Sequence, residues 1–251
     1  MKIMICGKGG SGKSALTVLM AKILSKNYKV YVVDSDESNA LLPQMLNVKP
    51  PRPLVEYLGG KKTIFKKGEV NIVKALAEAG KGIKMSDLPN EYISSSTENI
   101  KLVTIGKVRE FGEGCACPFN FLTRVFLKNL VLDRDEIVLV DTDAGVEHLG
   151  RGVEEGCDII LTVADPTAES LMLAKILSDE TAKLGKRFLL LINKVTPSIA
   201  EMIREKAKDM ELEIAGMVRF DEEVFKSCLE GSPLRAREAL IDVENIVRKI
   251  I

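Results

Sequence analysis

The sequence predicts an α/β fold: a doubly wound, mainly parallel sheet flanked by helices. Three observations carry that expectation. Short apolar runs alternate with amphipathic stretches, several runs are continuously apolar (Ile137-Val-Leu-Val-Asp141, Phe188-Leu-Leu-Leu-Ile192), and the first leads at once into a glycine-rich turn. Unbroken Val/Ile/Leu runs suit strands covered on both faces, and strands separated by helices need crossover connections.

In chain order, strands are expected over residues 2–6, 29–34, 100–105, 137–141, 158–163, 187–192 and 213–218, where apolar and β-branched residues are bounded by turn formers. Helices are expected over 13–25, 118–132, 167–184, 198–209 and 233–250, with a late helical stretch also carrying Cys228. Residues 49–99 are less regular, opening on Lys49-Pro-Pro-Arg-Pro53 and closing on a polar run. They read as an excursion between the second and third strands, with 69–79 its best helix. Residues 1–251 therefore form a single domain.

Composition narrows the function. Thirty-six Lys+Arg balance 36 Asp+Glu, which disfavours a nucleic-acid binder relying on counterion release. Eight Phe, four Tyr and no Trp offer few platforms for stacking bases. No run of some 18 apolar residues spans a membrane, and the start lacks an apolar signal core, so a cytoplasmic protein is expected. Five cysteines at 6, 115, 117, 157 and 228 are odd in number and irregularly spaced. They do not read as a disulfide framework.

Gly7-Lys8-Gly9-Gly10-Ser11-Gly12-Lys13-Ser14 fits G-x-x-x-x-G-K-[ST] at every fixed position, between a strand and a helix. Glycines without side chains let successive backbone N–H groups, running on to Ala15, curl around phosphate oxygens at a helix N-terminus. Lys13 then reaches the β- and γ-phosphates and the Ser14 hydroxyl is placed for Mg²⁺. A nucleoside triphosphate is the expected ligand.

Carboxylates close two strands: Asp34 and Asp36 after the second, Asp141 and Asp143 after the fourth. Carboxyl ends of parallel strands are where such sheets place ligands. Asp141 suits the magnesium shell, Asp36 the attacking water, and Gly145 a backbone contact to the γ-phosphate; Asp34 and Asp143 read equally well as helix caps. In Asn193-Lys194-Val-Thr196 a threonine stands where a guanine-reading aspartate belongs, so ATP is favoured over GTP. Cys115-Ala-Cys117-Pro118 forms a third motif. Pro118 suits the first helical position, making Cys117 its cap, where the helix dipole stabilises thiolates as metal ligands.

The early Lys8 gives the loop a form that resembles the deviant Walker A of the MinD/ParA and nitrogenase iron protein group. The resemblance implies that Lys8 reaches phosphates bound by the other subunit of a nucleotide-sandwich homodimer. It also implies that Asn193 and the stretch holding Phe220 and Asp221 contact adenine. With Cys115 and Cys117 in the middle, and Val146-Glu147-His148 after Gly145, the chain resembles the CooC-type nickel-insertion ATPases along almost its whole length, least over 49–99. That likeness implies Ni²⁺ or Zn²⁺ on the cysteine pair and a nickel-containing carbon monoxide dehydrogenase as acceptor. His148 reads as a switch-region residue more readily than as a ligand. Two other readings stay open: an iron–sulfur carrier or electron donor, and a spatial organiser of the ParA/MinD kind.

Overall fold

The apolar runs assemble into one sheet sealed on both faces. The structure, a computed structural model, describes residues 1–57, 82–107, 117–144 and 152–251, the side chains of Cys117 and Pro118 excepted. Its strands are β1 (Lys2–Cys6), β2 (Lys29–Asp34), β3 (Ser94–Ser95), β4 (Ile100–Thr104), β5 (Glu136–Asp141), β6 (Ile159–Ala164), β7 (Arg187–Val195) and β8 (Ile214–Arg219). Its α-helices are α1 (Lys13–Leu24), α2 (Leu42–Met45), α3 (Leu54–Tyr57), α4 (Cys117–Asn129), α5 (Ala168–Lys183), α6 (Ala200–Asp209), α7 (Glu222–Glu230) and α8 (Glu238–Ile250).

The strand order is β3-β4-β2-β5-β1-β6-β7-β8, parallel throughout except for β3 against β4. Alternating residues feed opposite faces, as strand geometry requires. Ile3, Val32, Leu139 and Leu161 pack with α1 and α8, whereas Met4, Val33, Val140 and Ile160 pack with α4. Leu190 and Ile192 cover α5 and α6. The chain winds outward from β1 through β2 to β4, returns as β5 between them, then crosses to β6. Loops after β1, β2 and β5 consequently open side by side at the carboxyl edge, where the winding direction reverses.

The expected doubly wound fold is the observed one, and all seven expected strands are present. Several departures from the expected elements have physical reasons. β7 continues past Ile192 to Val195, with an irregular register and Lys194 at φ 59°. A kinked strand end, rather than a loop, thus carries Asn193 and Lys194. The last helix starts at Glu238 instead of 233, because the Asp221 carboxylate accepts the backbone N–H groups of Arg237 and Ala239 and sets the entry there. The sixth helix begins at Ala200, after a 3₁₀ turn over Pro197–Ile199. Inside the polar run before β4, Ser94–Ser95 form a short antiparallel edge. The expected helix 69–79 lies outside the described residues.

Leu139 is fully buried in the sheet's most central pairings. Leu139→Ala leaves a cavity the sheet cannot collapse into and is expected to cost about 3 kcal/mol by denaturant unfolding.

Candidate functional site

Residues 7–12 leave β1 in a turn that only glycine tolerates at its pivots. Gly7 has φ 137°, and a Cβ there would stand 2.2 Å from the Val163 carbonyl oxygen; Gly12 has φ 97°, and its Cβ would meet the Asn193 amide at 2.3 Å. Gly7 is needed for close approach to the Val163 backbone and Gly12 for close approach to the Asn193 side chain, and both take a left-handed φ. The turn is held from outside as well. The Asn193 amide donates to the Ser11 carbonyl at 2.8 Å and the Lys194 ammonium to the Gly10 carbonyl at 2.6 Å. This is what the positive φ at Lys194 achieves: it aims the side chain at the turn. Lys13 is buried and donates to the Gly7 and Lys8 carbonyls at 3.3 and 3.2 Å.

Beside the turn lies the acidic end of β2 and β5, where Asp34 and Asp141 are register partners. Both are fully buried. Ser14 Oγ donates to Asp141 Oδ2 at 2.6 Å and Thr17 Oγ1 to Oδ1 at 3.2 Å. Burial pushes the Asp141 carboxyl up to about 6, against the pull of Ser14 and Lys13. Burial likewise pushes Asp34 up to about 7, against the pull of the Lys107 ammonium 2.8 Å away. A serine hydroxyl next to a carboxylate is the hard-oxygen pair that Mg²⁺ takes, so these residues fit that ion. Asp36 turns its carboxylate on its own loop, accepting from the N–H groups of Ser38 and Asn39 and from the Ser38 hydroxyl.

A cleft of about 480 Å³ runs from the turn toward β8. Gly9, Gly10, Gly12, Lys13, Ser14 and Ala15 line one end, Asp36 the flank, and Asn193, Phe220 and Asp221 the far end. Ser11 is buried beneath this lining. The apolar wall includes Leu41, Met45 and Phe225, with Phe220 and Phe225 tilted together at 6.2 Å. A phosphate-sized polar end and an apolar slot suit a nucleotide. Asp221 supports the slot structurally. Its carboxylate caps α7 through the N–H groups of Glu223 and Val224, besides holding Arg237 and Ala239, and those bonds keep it below the usual carboxylate range despite its burial. Lys8 stands outside the cleft lining, paired with Glu169 at 2.6 Å.

Of the metal motif, Cys115 lies outside the described residues, as do Gly145 and His148. The helix begins at Cys117 itself, one residue ahead of the expected start at Pro118. Among the described residues no group of three or more His, Cys, Asp or Glu is arranged to hold a metal ion, and no helix is long and apolar enough to cross a membrane. Cys6 and Cys157 are buried in the core, and burial raises their thiol pKa values to about 11 and 12.

Sequence reasoning missed Thr17, Asn39, Lys107 and Glu169, all of which bond the predicted site residues. Lys107 carried a signal: a lone lysine just past a strand end, on the strand next to two acids. The others depend on loop geometry that no spacing encodes.

Site and fold together define a P-loop nucleotide-binding domain. The sequence matches the CobQ/CobB/MinD/ParA nucleotide binding domain family over residues 2–234, and the chain belongs to that ATP-binding family. It is 44% identical, over 99% of its length and 100% of the relative's, to an uncharacterized ATP-binding protein of Methanocaldococcus jannaschii. It is 30% identical to the carbon monoxide dehydrogenase accessory protein CooC of Rhodospirillum rubrum, over 93% of this chain and 91% of that one. Among solved structures, the septum site-determining protein MinD of Pyrococcus horikoshii, complexed with Mg-ADP, superposes with a TM-score of 0.67 at 16% identity, covering 99% of this chain and 95% of that one. MinD of Pyrococcus furiosus gives 0.66 at 17%, covering 100% and 99%.

The raised Asp141 carboxyl has a consequence for stability. Its folded pKa of about 6 lies above the ordinary 3.8, so folding takes up a proton between those values. Its contribution is full below the lower value and fades as pH rises through the upper one. Asp141→Asn lacks this dependence, and its unfolding free energy relative to the parent, without nucleotide, is expected to rise by about 2 kcal/mol from about pH 4 to about pH 8.

Proposed function

We propose that the protein is an ATP-hydrolysing metallochaperone that works as a homodimer and assists nickel insertion into carbon monoxide dehydrogenase. The observation that carries this reading is the presence of Cys115-x-Cys117 and a Lys8-bearing phosphate loop in one chain that matches CooC over 93% of its length. Without the cysteine pair the chain would be one more ATPase of its family.

In this reading Lys13 binds the β- and γ-phosphates along with the N–H groups of residues 9–15. Ser14 and Asp141 hold Mg²⁺, which when bound screens the phosphate charge. Asp36 positions the attacking water once its loop releases the carboxylate. Phe220 and Asn193 bound the adenine slot, with Asp221 holding that end in shape. Catalysis is positioning and charge stabilisation, which keeps turnover slow. Lys8 supplies its charge to the partner's phosphates. Its present hold on Glu169 joins a half-buried lysine to an exposed glutamate, and such surface pairs are weak enough to exchange for a phosphate.

The cargo is Ni²⁺ or Zn²⁺. Two thiolates do not complete a four-coordinate site. A second copy of the loop across a two-fold axis supplies two more sulfurs, at the interface that Lys8 already requires. Metal and ATP then favour the same closed dimer, and hydrolysis opens it to release the metal.

Two outcomes test this reading. Lys8→Ala is expected to keep nucleotide binding and lose concentration-dependent ATPase activity; Lys13→Ala is expected to lose both. Full turnover by Lys8→Ala rules out the sandwich. Metal analysis is expected to give about one divalent ion per dimer, absent from Cys115→Ala/Cys117→Ala while the fold survives. Absorbance near roughly 400 nm after anaerobic reconstitution points instead to an iron–sulfur carrier.

A further inference from the structure

A second cavity, of about 600 Å³, backs onto the nucleotide cleft. Leu19 of α1 lines both, and consecutive residues at the start of α8 line one each, Ala239 the cleft and Leu240 the second cavity. The segment leading into α8 supplies a further wall through Leu234, Arg235 and Ala236. That segment is fixed on both sides. The Leu234 N–H donates to the Met45 carbonyl of α2 at 3.0 Å, and the Lys22 ammonium of α1 donates to the Leu234 carbonyl at 2.9 Å.

The lining has two chemistries. Leu19, Ile23 and Leu234 are buried members of the core on that face of the sheet, and Ala236 and Leu240 pack against it half-buried. The charged groups of the lining are Lys22, Lys26, Arg235 and Glu98, three cations to one acid. In a chain whose 36 cations balance 36 acids, this excess is local. The cations are also available. Lys22 has two donors beyond its bond to Leu234, with Glu98 3.9 Å away. Lys26 meets Glu244 at 3.4 Å, and Arg235 meets Glu230 at 3.2 Å and Glu223 at 3.9 Å. Both of these cations are more than half exposed, and ion pairs on exposed side chains are weak enough to exchange. A pocket with apolar walls and a few polar groups takes a ligand of matching kind. Inorganic phosphate would leave the apolar walls unused, and a neutral hydrocarbon would leave the cations unused.

We propose that this cavity is a second ligand site, for a small amphiphilic anion: an aliphatic body lies against Leu19, Ile23 and Leu240, and its carboxylate meets Lys26 and Arg235 at the rim. The inference is independent of the metallochaperone reading. It needs the neighbouring cleft only to take a nucleotide, so that the cleft can be filled first.

The probe is octanoate, titrated by calorimetry into the full chain saturated with MgADP, at concentrations below those at which octanoate forms micelles. Saturable binding of about one octanoate per chain is expected. 1-Octanol, its neutral counterpart, is expected to bind about tenfold more weakly or worse. Lys26→Gln/Arg235→Gln changes two exposed side chains and is expected to weaken octanoate about tenfold while MgADP affinity stays at the parent value. Ala236→Trp fills the cavity from a half-buried position and is expected to abolish octanoate binding. Absence of saturable octanoate binding to the MgADP-loaded parent overturns the proposal, and so does 1-octanol binding as tightly as octanoate. Parent-like octanoate affinity in Lys26→Gln/Arg235→Gln overturns it as well, whether or not Ala236→Trp folds. None of these readouts involves metal, ATP turnover or a dimer, so they stand apart from the results that decide the metallochaperone reading.

Discussion

The site depends on burying two carboxylates side by side. Asp34 and Asp141 face each other in register on β2 and β5, each without solvent contact. A buried charge without a partner costs several kcal/mol, roughly the stability margin of a small domain. The sequence offsets that cost from two directions. Lys107 reaches Asp34 from the end of β4, and Ser14, Thr17 and the nearby Lys13 converge on Asp141 from α1. The phosphate turn runs into α1, whose Ser14 and Thr17 bond Asp141 directly.

From that constraint the rest of the site follows outward. The turn packs closely on the β6 backbone and on the Asn193 side chain of β7, hence glycine at 7 and 12. It needs an external brace, which Asn193 and Lys194 provide from a strand end bent for the purpose. The slot beyond needs a firm rim, and Asp221 supplies it by tying α7 to the entry of α8. Lys8 stands apart from this bracing, on a surface pair with Glu169.

Most of the fold was legible because period and run length report burial directly. The continuous runs at 137–141 and 187–192 announced strands covered on both faces, and G-x-x-x-x-G-K-S placed the turn between a strand and a helix. Side-chain bracing was not legible. Asn193 and Asp221, expected from family likeness as base contacts, also brace the site: the Asn193 amide holds Ser11, and the Asp221 carboxylate accepts four backbone N–H groups. A polar residue at a strand end looks the same in sequence whether it serves a ligand or its own loop. Asn39 and Glu169 had no pattern to reveal them, because loop conformation alone brings them to Ser14 and Lys8. Cys115 and Cys117 stand out in the sequence by their spacing.

The central claim is that ATP and a thiolate-bound metal favour one closed dimer, so each must raise the other's affinity. Competition titration of Zn²⁺ or Ni²⁺ into the intact protein, against a chromophoric chelator, with and without MgATP, tests it most directly. The expected result is metal affinity about tenfold higher with MgATP, together with doubling of the mass in sedimentation. Equal metal affinity in both conditions, with Cys115 and Cys117 still required for binding, contradicts the claim.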